Sequence, residues 1–150
     1  VSYEIIGETI KSATSLKLGQ IFGNDVIRYK ESVVNVKFPH FFITQVNLTQ
    51  TPKGVGNGRV QLDYLVNIRY RIASDLAQIT NIQQQLDEIG LRLCNELTEL
   101  DLERPTKTKN RTYEKDDGVL QFFFNITVFA IPQIEEGVKF KNLDLNEEVI

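Results

Sequence analysis

Polar and apolar residues alternate through two long segments of the chain, Val60–Ile72 and Val119–Ile131. In the first, every even-numbered position is apolar and every odd one except Leu65 is polar. In the second, Leu120, Phe122, Phe124, Ile126, Val128 and Ala130 repeat the pattern. Successive side chains of a strand point to opposite faces, so this period predicts half-buried antiparallel strands with one apolar face. A third strand is expected over Phe38–Thr49, with Pro39 near its start because proline donates nothing to a ladder. The turn-rich run from Thr51 to Gly58 joins it to Val60–Ile72 as a hairpin. Asp116-Asp117-Gly118 makes a second hairpin, between a strand over Thr106–Lys115 and the Phe-rich strand. Shorter strands are expected at Val26–Lys30 and Ser32–Val36.

Two segments carry a helical period instead. From Tyr3 onward, Ile6, Ile10, Ala13 and Ile21 hold to one face, with Ser2 suited to cap the start. Either Gly19 or Gly23 can supply the left-handed residue that ends it. Gly7 inside this helix costs about 0.5–1 kcal/mol relative to Ala, so the element depends on packing. The second helical pattern spans Ser74–Leu100, where Leu76, Ile79, Ile82, Leu86, Ile89, Leu93, Leu97 and Leu100 step by threes and fours. Ser74 or Asp75 can cap it. Asn81 with Gln84 offers an alternative capping box that would make the preceding piece a separate turn. Arg104-Pro105 closes the segment.

The predicted fold is therefore α+β: a mostly antiparallel mixed sheet built from two long hairpins and flanked by two amphipathic helices. A chain of 150 residues fits one domain, drawn here over 1–132. Residues 133–150, acidic and sparsely apolar, read as a C-terminal extension that partner contacts would order. A net charge of -3 speaks against a dedicated duplex-DNA binder, which would show a basic face. No apolar run approaches the ~18–20 residues that span a bilayer, and Val1-Ser2-Tyr3-Glu4 does not open like a secretion signal. The N-x-T triplets at Asn47, Asn110 and Asn125 accordingly read as chance rather than as glycosylation sites.

Candidate chemistry is sparse. His40 is the one histidine and Cys94 the one cysteine, so zinc and imidazole-dependent nucleophile readings lack partners. His40, among Phe38, Phe41 and Phe42, reads as a structural or interface residue; Cys94, beside Leu93 and Leu97, reads as core. The glycines of residues 54–58 precede a strand rather than a helix, which fits a hairpin tip and not a phosphate loop. No catalytic, metal or cofactor site is assigned. The charged feature with functional promise is Lys107, Lys109, Arg111 and Lys115, which alternation places on one side of a strand. Lysines there discourage edge-to-edge aggregation, dock an acidic patch on a neighbouring subunit, or touch passing nucleic acid.

The order of elements carries a resemblance. A helix, a short strand with Ile27-Arg28-Tyr29, the run Lys37-Phe38-Pro39-His40-Phe41-Phe42-Ile43, a hairpin, then Tyr64-Leu65-Val66-Asn67-Ile68-Arg69-Tyr70 and a helix resemble the tail terminator proteins of tailed bacteriophages. The likeness spans residues 3–131 and is strongest to the group from contractile-tailed phages, prophages and phage-tail-like bacteriocins. His40 departs from the small residue or cysteine expected there. The resemblance implies a non-enzymatic subunit of a hexameric ring at the head-proximal end of a tail, made in the host cytoplasm. Its implied partners are copies of itself, the tube protein, sheath protein in a contractile tail, and head-completion or neck proteins, with DNA only passing through the lumen. Lys53, Val55, Asn57, Lys107, Lys109, Arg111, Phe140 and Leu143 are the expected interface residues. A head-side connector or neck protein, a monomeric binding module, and a small nucleotide- or nucleic-acid-processing enzyme using His40, Asp63 and nearby carboxylates are the alternatives.

Overall fold

The computed structural model describes residues 3–52 and 60–130. Along the chain run α1 (Tyr3–Phe22), β1 (Ile27–Tyr29), β2 (His40–Pro52), β3 (Val60–Arg71), a 3-10 turn (Leu76–Gln78), α2 (Ile82–Glu96), β4 (Glu99–Asp101), β5 (Pro105–Asp116) and β6 (Val119–Ala130). The strands form one six-stranded sheet in the order β1-β2-β3-β6-β5-β4. Only β1 and β2 run parallel. The fold is α+β, as the alternation and helical periods predict.

The two alternating segments become the centre of the sheet. β3 pairs with β6 along its whole length, from Val60 opposite Ala130 to Arg71 opposite Val119. Val60, Leu62, Tyr64, Val66 and Ile68 therefore share a face with Leu120, Phe122, Phe124 and Ile126, and all are buried. Phe41 and Ile43 extend that face across β2. Helix α1 covers it over β1, β2 and β4, and α2 covers it over β5 and β6. Removing such side chains from water stabilises the fold by about 1.5–3 kcal/mol each. The opposite face, with Gln61, Asp63, Arg69, Gln121, Asn125 and Thr127, carries no helix among the described residues.

Gly23 ends α1: it sits at φ +109°, and its N–H reaches the Gly19 carbonyl at 2.9 Å. At Gly7 an added β-carbon would stand 2.6 Å from Gln45 Oε1, so the end of that glutamine side chain would have to swing aside. The second hairpin turns through Asp117 and Gly118, both at positive φ (51° and 75°), the geometry of a two-residue type I′ turn. The first hairpin's tip, residues 53–59, and the extension over 133–150 lie outside the described residues.

Several expectations need correction. Ser32–Val36 is not a strand but part of the loop between β1 and β2, which ends in a cis Phe38–Pro39 bond. The helical period over Ser74–Leu100 is not one helix: of the two alternatives, the separate turn before Asn81 is the one formed. Asp75 caps a 3-10 turn by accepting from the Ala77 N–H at 3.0 Å. The chain then passes through Asn81 at φ 56°, and α2 begins at Ile82; the expected Asn81 side-chain cap is not made. At the far end Leu100 belongs to β4, not to the helix. Thr108 draws the chain away: its N–H bonds the Thr98 carbonyl at 3.0 Å and its hydroxyl the Leu97 carbonyl at 2.6 Å.

β5 brings the last correction. Between Lys109 and Thr112 its register against β6 shifts by a bulge, with Asn110 at φ 53°. Thr108 lies opposite Ile126 and Tyr113 opposite Phe122, both on the core face, whereas Lys109 lies opposite Asn125. The basic residues are therefore split. Lys107 and Lys109 keep the outer side, and Arg111 and Lys115 are turned towards α2. No helix among the described residues is long and apolar enough to cross a membrane.

Candidate functional site

The alternating strands that build the core also decide what the surface offers. Lys107 and Lys109 are exposed on β5, on the side away from the helices. Arg111, half-buried, serves α2 instead: its Nε donates to the Cys94 carbonyl at 2.9 Å. Its Nη1 donates to the Thr108 carbonyl at 3.0 Å and hydroxyl at 3.1 Å. The last carbonyls of a helix lack partners within it, and a cation placed there also meets the negative end of the helix dipole. Lys115 pairs with Asp87 of α2 at 2.9 Å, and the Tyr113 hydroxyl donates to the same carboxylate oxygen at 3.2 Å. The Lys115 ammonium holds the Asp87 carboxyl below its ordinary value. Lys53, Val55, Asn57, Phe140 and Leu143 lie outside the described residues.

The sheet closes neither of its long outer edges. β1 pairs with β2 only over His40–Phe42, leaving Ile43–Pro52 without a strand on that side among the described residues. β4 pairs with β5 only from Pro105 to Lys107, leaving the stretch after Thr108 similarly open. Rows of unpaired N–H and C=O groups are templates for another strand.

His40 and Asp63, the core of the enzyme alternative, are not brought together. His40 pairs with Arg71, eight residues along β3 from Asp63, roughly 26 Å in an extended strand. Asp63 instead takes hydrogen bonds from Thr127 and from Gln61 Nε2. His40 is 5 % exposed, and its Nδ1 donates to the Lys37 carbonyl at 2.9 Å. Its ring stands edge-on to Tyr29, with centroids 5.3 Å apart, and 4.9 Å from Phe38. Burial pushes the imidazole pKa down, against the raising effect of the Lys37 carbonyl, and the nearby Arg71 adds to the fall. Cys94 is half-buried against the core, and burial raises its thiol pKa. Among the described residues no group of three or more His, Cys, Asp or Glu side chains is arranged to hold a metal ion.

Sequence reasoning missed a groove of about 480 Å³ at the His40 end of the sheet. The β1–β2 loop folds over the outer face there, and Arg69, Arg71, Phe42 and Val119 line it from the strands. The one signal for it is the pair of arginines at alternate positions of β3, which the strand period places on the polar face.

The described residues thus present an α+β core, two open strand edges and charged side chains on β5. The chain belongs to the phage tail terminator proteins, whose family model it matches over residues 9–138. Members are structural components of phage tails that act in tail completion. The match runs beyond β6 into the C-terminal extension. A comparison with curated proteins finds no match.

Proposed function

We propose that this chain forms a closed ring, a hexamer, that caps the head-proximal end of a tail tube, stops its polymerisation and presents the surface that joins the head. The observation that carries the reading is the pair of unlike open edges, on β2 and on β5, at opposite sides of one sheet. A head-to-tail contact that closes into a ring needs two different surfaces on each subunit, and strand edges are a ready means of making it. Lys107 and Lys109, the hairpin tip with Lys53, Val55 and Asn57, and Phe140 and Leu143 of the extension are the residues assigned to contacts between copies and with the tube. Arg111 supports that strand from beneath. In a contractile tail the same ring meets the sheath. A chain of net charge -3 suits a lumen through which DNA must slide, since tight phosphate binding would act as a brake.

The test is to assemble cognate tube subunits with and without the purified protein and measure tube lengths by electron microscopy. Tubes of bounded length, with a ring density at one end, are expected. Tubes that grow equally long in both samples overturn the proposal.

A further inference from the structure

The geometry points to the groove at the His40 end of the sheet as the seat for the acidic, apolar-studded C-terminal segment of a neighbouring copy, residues 143–150. This inference rests on the reading that copies assemble head to tail.

The groove combines two kinds of unused surface. Arg69 and Arg71 stand on the same face of β3, and neither has an ion-pair partner among the described residues; Arg71 rests instead over the Phe38 ring at 5.2 Å. Beside them are apolar side chains that water reaches. Val33 is 45 % exposed at the rim, and the next residue, Val34, is 87 % exposed. The wall that carries these valines is built rather than loose. The Lys37 N–H donates to the Tyr29 hydroxyl at 3.1 Å, and His40 Nδ1 donates to the Lys37 carbonyl, so the loop is anchored at Lys37 to β1 and β2. A site with two guanidinium groups and an apolar wall suits a carboxylate-bearing, partly apolar peptide.

Residues 143–150 have that chemistry. Asp144, Glu147 and Glu148 alternate with Leu143, Leu145, Val149 and Ile150, and no basic residue falls among them. Glu31 and Asp117 also line the groove and repel any anion beside them, so a segment whose carboxylates are spaced by apolar residues fits better than a nucleic-acid backbone charged at every residue. The valines would have no role on phosphate.

Reach permits either copy's segment, and the path favours the neighbour's over the chain's own. β6 begins at the groove with Val119 and ends at Ala130, about 36 Å away at the other end of the sheet. To return, the chain would spend about 11 extended residues crossing the open face. That path brings Glu135 and Glu136 onto the face that carries Asp63, Gln61 and Asn125. An arm that leaves one end of a subunit and a groove at the opposite end instead match the two halves of a head-to-tail contact.

The experiment uses the full-length chain with Cys94→Ser and two single-cysteine variants, Val33→Cys in the groove and Leu145→Cys in the segment. Mixed under mild oxidation, they should give a disulfide-linked pair that neither gives with itself beyond background. The doubly substituted chain should give a ladder of linked copies. Arg69→Glu with Arg71→Glu should lower the mixed yield about tenfold. Asp144→Lys with Glu147→Lys and Glu148→Lys on the other chain should restore it. Internally linked monomer overturns the inference in favour of the chain's own segment; no mixed product, or yields indifferent to the charge reversal, overturns it outright. A DNA competitor that blocks linkage more strongly than matched salt assigns the arginines to phosphate and also overturns it. Tube capping read in the same variants separates this inference from the ring itself. Capping without linkage sinks only the seat, and linkage without capping sinks the terminator function and leaves the seat standing.

Discussion

The Tyr113 ring of β5 lies against the backbone of Gly90 in α2, where an added β-carbon would stand 2.7 Å from the ring's Cγ and Cδ2. The missing side chain lets helix and strand close on each other. Gly90→Ala should therefore destabilise the protein, by about 1–2 kcal/mol net of the helix propensity gained. In a Tyr113→Ala background the sign should reverse, and the same change should stabilise by about 1 kcal/mol. Urea unfolding of the four chains measures both. A Gly90→Ala variant as stable as the parent would refute the contact.

Arg111 supplies a second stability prediction. Its guanidinium bridges the Cys94 carbonyl at the end of α2 to the Thr108 carbonyl and hydroxyl on β5. Arg111→Ala removes these bonds and should cost about 1–3 kcal/mol. Arg111→Lys should not restore the loss, because one ammonium does not reproduce the planar fork that reaches both elements. Equal unfolding midpoints for the lysine variant and the parent would contradict this.

What the sequence shows and hides follows from the range of the interactions involved. β3 and β6 are legible because alternation is a local signal and both strands use it on the same buried face. The end of α2 is not. Leu97 and Leu100 keep helical spacing, yet the hydrogen bonds that draw the chain into β4 come from Thr108, beyond the turn. The basic positions of β5 fail for a related reason. One extra residue at the bulge re-aims every side chain after it, and the local hint is only Asn110, a residue type that tolerates positive φ. The groove depends on Tyr29 and His40 both meeting Lys37, a tertiary arrangement that leaves no periodic trace.

The same bulge separates stability from assembly. Lys107 and Lys109 are exposed on the side away from the helices, and no ion pair holds them among the described residues. Replacing both with Ala should change unfolding free energy by no more than about 0.5 kcal/mol. If they dock a neighbour, Lys107→Glu with Lys109→Glu should reduce the ring fraction in light scattering, most clearly at low salt. An unchanged ring population would remove these lysines from the interface.

His40 makes stability depend on pH in a window of its own. In the folded chain its imidazole pKa lies below the ordinary 6.5, first because burial disfavours the charged ring and also because Arg71 is near. The unfolded chain therefore takes up a proton before the folded one as pH falls. Stability is full above pH 6.5 and declines as the pH drops through that value towards the folded pKa. Asp87 and Glu96, held below 3.8 and 4.5 by Lys115 and Arg92, lose their contributions only in more acid solution. Among the described groups whose pKa is shifted, the imidazole therefore dominates the slope between pH 7 and pH 5. His40→Asn keeps an N–H able to reach the Lys37 carbonyl but does not titrate, so thermal melts of that variant should be flatter across the window. Its overall stability will fall because the ring contacts with Tyr29 and Phe38 are lost, but the readout is the slope. Parallel slopes for variant and parent would show that another group carries the dependence.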